Sequence, residues 1–230
     1  MNKRIVLIFI SFFLIPFIVS CAPKHVEMPS YADVDLNSVI SDLSNVTSIE
    51  AVMSMEYEKN NNLMNGDASL VLSEEHIDLK IYYLGFLAGY LKEQNGVVAA
   101  SQKLDRNKSA ILIEGLKNSF FWWKIDDYTI DDEEDVYKLM NFNRKIVISK
   151  KTMLPIMQTI ELYNGDELKI SYDSPARLEP EDIDFSYISP LISWYQSAMR
   201  IELNNHLLKI KIKSYNLKTK AASAQAGAIK

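Results

Sequence analysis

From Met53 onward, apolar residues recur at every second position in short runs, parted by turns rich in Asn and Gly. Met53, Met55 and Tyr57 alternate with polar neighbours; so do Ala68, Leu70 and Leu72, and then Leu79, Ile81 and Tyr83. Residues two apart share one face of a strand, so each run reads as a strand with one face to bury. Residues 60–66 (NNNLMNG) form a turn cluster, and Asn95-Gly96 marks another turn ahead of residues 97–100. Asn164-Gly165, with apolar alternation on both sides, is the strongest hairpin signal in the chain. A type I′ turn needs positive φ at both central positions, which Asn and Gly tolerate. A closing hairpin turns at Asn204-Asn205 and returns through residues 207–215, where Ile210 and Ile212 interleave with Lys209, Lys211 and Lys213. Roughly eight to eleven short strands joined by tight turns predict an antiparallel meander whose single apolar face must be covered.

Helices are the natural cover. Leu36, Val39, Ile40, Leu43, Val46, Ile49 and Val52 fall on one stripe at helical period, with Asp35 or Asn37 near the N-cap. The spacing predicts an amphipathic helix over residues 36–52. A partner-binding helix is the sharper reading of such a stripe, and core packing the commoner one. A second helix is expected around residues 188–198. The class is α+β, a strongly curved antiparallel sheet wrapped around helices.

The amino terminus carries a different signal. Lys3 and Arg4 precede an apolar stretch over residues 5–19 that is broken by Pro16 and shorter than the roughly 20 residues a spanning helix needs. It ends in Ile18-Val19-Ser20-Cys21, which resembles the bacterial lipobox. That resemblance implies cleavage before Cys21, a lipid-modified thiol and a palmitate-type acylated amino terminus, since two or three chains anchor stably where one is marginal. The alternative is a secretory signal with an incidental cysteine. The expected organisation is a signal peptide at 1–20, a Pro-containing tether at 21–35, one domain at 36–217 and a disordered small-residue tail at 218–230. Removing Lys3 and Arg4 with the signal leaves 23 basic against 30 acidic residues. Ala22 follows the cysteine, and the lack of Asp at that place favours the outer membrane, periplasmic face, in enterobacterial sorting.

Composition closes off several function classes. An acidic chain, −5 overall, lacks the basic surface that nucleic acid requires. One cysteine excludes a disulfide framework and multi-cysteine metal sites. No Gly-x-Ser-x-Gly elbow accompanies the three histidines, His25, His76 and His206, so no serine triad is legible and no enzyme is expected. Residues 126–135 (DDYTIDDEED) lack the glycine and spacing of a calcium loop and read as a solvated hairpin loop. No cofactor and no metal are implied. Phe120-Phe121-Trp122-Trp123, read as a strand, must point two rings to each side, one pair into the interior.

Three stretches carry a wider resemblance. Residues 75–85 (EHIDLKIYYLG) run from a strand into a Leu-Gly turn; residues 135–156 pair two late strands with Pro155 after the second; and residues 160–172 form the hairpin around Asn164-Gly165. With the lipobox and the first helix, this order resembles the LolA/LolB lipoprotein-carrier superfamily, LolB-like outer-membrane lipoproteins in particular. The resemblance implies an unclosed β-barrel, covered on its concave face by helices, with an apolar cavity that binds acyl chains. It also implies a loop that touches membrane or cargo, which maps onto Leu84, Phe86 and Leu87, bracketed by Gly85 and Gly89. The same segment also reads as buried core, and both readings stand at this point. The implied partners are the membrane, through the lipid anchor, and acylated lipoproteins or a periplasmic carrier. The family's two-helix lid has no recognisable counterpart between Ser101 and Val136. A structural or assembly-accessory lipoprotein of the same fold, without cargo, is the competing function, and an unfilled apolar interior separates the two.

Overall fold

The structure is a computed structural model and describes residues 28–178 and 193–220. Its strands are β1 (Val46–Lys59), β2 (Asn62–Ser73), β3 (His76–Tyr83), β4 (Phe86–Gln94), β5 (Val97–Ala100), β6 (Thr129–Asp132), β7 (Val136–Met140), β8 (Arg144–Ser149), β9 (Pro155–Glu161), β10 (Glu167–Arg177), β11 (Trp194–Leu203) and β12 (His206–Thr219). They form one sheet of 12 strands in the order β5-β4-β3-β2-β1-β12-β11-β10-β9-β8-β7-β6. Apart from β5 and β6, consecutive strands pair antiparallel, and the first strand pairs with the last. The edge strands β5 and β6 do not pair with each other, so the sheet stays unclosed. A single core cluster nonetheless joins Leu79 and Leu91 near one edge to Leu139 and Ile146 near the other. The sheet therefore curls around one interior, as a twisted sheet of this width must.

Helix α1 (Leu36–Leu43) starts at Asp35, whose carboxylate accepts the Ser38 N–H, and buries Leu36, Val39 and Leu43. The helix stops there rather than at residue 52. Ser44 and Asn45 turn their side chains onto the Ser41 carbonyl, and β1 then pairs with β12. A register shift between Val46 and Ser48 resets the strand's alternation, so Val46 and Ile49, three apart, both face the core. A bulge thus produces helical spacing inside a strand.

A second helical run lies where the sequence showed none. α2 (Arg106–Ala110), a π-helical turn (Ile111–Gly115) and α3 (Leu116–Phe120) continue into one another with right-handed helical backbone at each junction. Asp105 caps the start by accepting the Lys108 N–H at 2.8 Å. Gly115 is needed midway, because a Cβ there would sit 2.9 Å from the Ile201 side chain on β11. Phe120, Phe121, Trp122 and Trp123 are not a strand. They fall at the helix end, where successive side chains fan out, and all four are buried. The helix expected around residues 188–198 is not formed in its described part, since Trp194 opens β11; residues 188–192 lie outside the described residues.

The turns at Asn60-Asn61 and Asn95-Gly96 carry positive φ at both positions. At Asn164-Gly165 only Gly165 does. Leu162 and Asp166 close a three-residue loop there, so the hairpin is present but the turn is not type I′. Residues 126–135 are not a loop throughout: Thr129–Asp132 form edge strand β6, and Asp132 and Glu133 pair with Lys150 and Lys138.

Candidate functional site

Leu84 and Gly85 form the two-residue turn between β3 and β4, both at positive φ (50° and 82°). That backbone costs leucine about 1 kcal/mol, and the tip is largely exposed: Leu84 is 81% exposed, Phe86 80% and Leu87 58%. The register shift beyond Ile81 places a bulge at the base of this tip, the kind of irregularity that re-aims a hairpin end. β3 stops pairing with β2 at Tyr82, while β2 continues along β1 to Asn62. The hairpin tip therefore splays from its neighbour.

Because every strand runs opposite to the next, the turns at residues 60–61, 84–85, 141–143, 163–165 and 204–205 share one end of the sheet. Phe142 and Tyr163, both more than nine-tenths exposed, stand on that same rim, with Leu63, Met64 and Tyr83. The rim is thus an apolar fringe, and its tip at Leu84 is the most prominent part near the splayed hairpin.

Behind the fringe lies a cavity of about 450 Å³, walled by Met55, Tyr57, Leu63, Met64, Ile81, Tyr83 and Leu208 from the sheet and by Lys108 and Leu112 from the helical run. A smaller space of about 140 Å³ shares Met64, Ile81, Ala88, Lys108 and Leu112 with it and reaches towards β5. On the outer side, a cleft of about 800 Å³ between the splayed hairpin and β1, β2 and β12 shares Met55, Asn65, Gly66 and Tyr83 with the cavity wall. Gly66 stands at this junction, where a Cβ would meet the Tyr82 carbonyl oxygen at 2.5 Å.

The other half of the interior is filled. Val39 and Leu43 of α1, Phe120, Trp122, Trp123, Tyr172, Trp194 and Tyr215 leave only about 30 Å³ between them. Phe120 stacks on Tyr215, which stacks on Tyr195. Burial pushes the Tyr215 and Tyr172 hydroxyls well up from their ordinary range. Arg144 closes this half. Its guanidinium donates to Gln158 Oε1 at 2.6 Å, Lys124 O at 2.6 Å and Trp122 O at 3.0 Å, holding the end of the helical run. Burial without a carboxylate partner pulls its pKa down to about 10, which still leaves it charged at neutral pH.

Polar groups gather at the cavity wall nearest the rim. The Tyr57 hydroxyl and His206 Nδ1 share a hydrogen bond at 2.5 Å, burial raises the Tyr57 pKa to about 12, and burial followed by the nearby Lys59 lowers that of His206. Lys59 pairs with Asp105 at 2.8 Å, and the Lys108 ammonium lies 5.4 Å from the Tyr57 ring centre. His206 is thus buried against Tyr57. The sequence pattern gave no sign of this grouping, whose members come from β1, β12 and the overlooked helical run. Among the described residues no group of three or more His, Cys, Asp or Glu could hold a metal ion, and no helix is long and apolar enough to cross a membrane. Cys21 and the signal segment lie outside the described residues, as does the tail beyond residue 220. Tyr31 and Val34 of the expected tether pack on the core, with the Tyr31 N–H bonded to Lys151 O at 2.8 Å.

No family profile matches the sequence, and no curated protein matches it. Solved structures do resemble the fold. A LolA-superfamily protein from Nitrosomonas europaea superposes with a TM-score of 0.50 at 9% identity, over 80% of this chain and 94% of that one. A DUF1329-family protein from Desulfovibrio piger gives 0.49 at 11% identity, over 89% and 100%. An outer-membrane lipoprotein-sorting protein domain from Vibrio parahaemolyticus gives 0.45 at 10%, over 82% and 94%. At such identities the likeness is one of fold.

Proposed function

We propose, for a chain that carries the fold of LolA-superfamily proteins, that it is a bacterial envelope lipoprotein that binds acyl chains in its apolar cavity and takes part in localising lipoproteins at the outer membrane. The observation that carries the reading is the unfilled space behind the apolar rim, walled by Met55, Met64, Ile81, Leu112 and Leu208. A protein whose interior served only its own stability would fill it, as the half around Phe120 and Trp122 is filled. Burial of acyl carbon there stabilises a complex by about 0.8 kcal/mol per methylene. The helical run serves as cover over this part of the concave face, and Leu84, Phe86 and Leu87 serve as the contact to membrane or cargo. Cys21 supplies the lipid anchor on the periplasmic face, which keeps the rim within reach of a bilayer.

Native mass spectrometry of the chain from Ala22 onward, exported behind a cleavable secretory signal and purified without detergent from a bacterial periplasm, tests the reading. Bound masses that fragment to acyl chains are expected. Bare protein in every preparation, with no uptake of a fluorescent acyl probe, would favour the accessory lipoprotein without cargo.

A further inference from the structure

Size and charge at the cavity narrow its ligand. A methylene occupies about the ~30 Å³ that a water takes in the liquid, so the cavity of about 450 Å³ holds on the order of fifteen of them. The adjoining 140 Å³ adds roughly five. That is room for about one acyl chain of membrane length in these two inner spaces, beside the larger outer cleft that shares their wall.

The charge comes from Lys108. It is half-buried, forms part of the wall of both spaces and has no carboxylate partner among the described residues. Asp105, the acid beside it, is engaged by Lys59 and by the Lys108 backbone N–H. Glu56 lies on the convex face, paired with Lys209. His206 is the neutral partner of Tyr57 rather than a counter-charge. The contact of the Lys108 ammonium there is the Tyr57 ring at 5.4 Å, a weaker partner for an ammonium than an anion, to which it would donate a charge-assisted hydrogen bond. Resting on the acyl-chain reading above, we propose that the cavity seats one acyl chain of an amphiphile with an anionic head, the chain lying between Met64, Ile81, Leu112 and Leu208 and the head on Lys108. The chemistry of the head is a carboxylate or a phosphate, as in a free fatty acid or a lysophospholipid.

The chain from Ala22 onward contains every described element and the whole core, and serves for the test. Displacement of a fluorescent acyl probe at about pH 8, where carboxylates are ionised, compares myristate, myristoyl-lysophosphatidylglycerol and 1-tetradecanol. The expected result is that at least one anionic ligand binds about tenfold tighter than the alcohol, at one ligand per chain. The better of the two then separates a carboxylate head from a phosphate head. Lys108→Met should erase the preference for the anion over tetradecanol, and Lys108→Arg should restore it. Tetradecanol binding as tightly as both anions, or a Lys108→Met variant that keeps the preference, would overturn the anionic head and leave acyl-chain binding standing. Failure of all ligands would remove the acyl-chain reading itself.

Discussion

Arg144 is the residue whose loss has the clearest consequence. It is buried on β8, and its partners are the Gln158 side chain and the carbonyls of Asn118, Trp122 and Lys124. Arg144→Met fills similar volume but strands those acceptors in the core, each costing about 1–3 kcal/mol. A loss of roughly 3 kcal/mol or more is expected in urea unfolding, with the aromatic run at residues 120–123 gaining exposure by fluorescence. His206 makes the pH prediction. Burial, with Lys59 adding to it, lowers its pKa in the fold below the ordinary 6.5, so the unfolded chain binds the proton more readily. The contribution is complete above about pH 6.5 and is lost as pH falls through the lowered folded value. The midpoint of thermal unfolding should drop over that interval in the native chain. In His206→Gln this step should be missing, with only the carboxylate losses at lower pH remaining.

At the scale of elements, two assemblies divide the interior between stability and ligand. α3 is held from both sides. Lys117 reaches Glu93 on β4 at 2.6 Å, and Arg144 on β8 holds the carbonyls at its end. These anchors come from strands near opposite edges of the unclosed sheet, so the helical run ties the two sides together. α2 and the π-helical turn, by contrast, border the cavity through Lys108 and Leu112. π-helical turns recur at functional sites. The β3–β4 hairpin is the second assembly. Since Phe86 and Leu87 are exposed, replacing both by Glu should barely shift thermal stability. If the tip contacts lipid, each large apolar side chain contributes about 1.5–3 kcal/mol there, and the double variant should bind liposomes or acylated peptides at least tenfold more weakly. Wild-type liposome binding by that variant would remove the hairpin from the contact surface.

At the scale of the molecule, the sheet leaves no place to divide the chain. β1 and β12 lie side by side at its centre, so residues far apart in sequence pair at the heart of the fold. Residues 36–217 are expected to unfold as one cooperative unit. Limited proteolysis should trim the termini and spare the middle, and two separately folded halves from a cut near residue 120 would contradict this. Anchoring is tested on the whole chain as well: Cys21→Ser should yield an uncleaved or soluble protein, and normal processing with unchanged membrane association would refute the lipid anchor.

The alternation of Met53, Met55 and Tyr57, or of Leu168 and Ile170, and the turns at Asn60-Asn61 and Asn95-Gly96 were legible in the sequence because strand faces and tight turns are local properties. They were enough for an antiparallel meander and, with the Leu-Gly turn at residues 84–85, for its likeness to the LolA/LolB fold. Other features needed the tertiary structure. The period-three stripe through Val46 and Ile49 belongs to a bulged strand, because pairing with β12 outweighs local helical spacing. The helical run over residues 106–120 is not legible in the sequence because it is interrupted by Gly115 and ends in four aromatics that read as strand; packing against Ile201 and the hold of Arg144 make it a helix. Exposure of Leu84, Phe86 and Leu87 was equally undecidable from sequence, since an apolar run looks the same in a core and on a rim. So was the unfilled cavity, since volume is left over only after side chains from β1, β2, β3, β12 and α2 have met. Sequence determines what each segment prefers to bury; only the assembled sheet decides what remains uncovered.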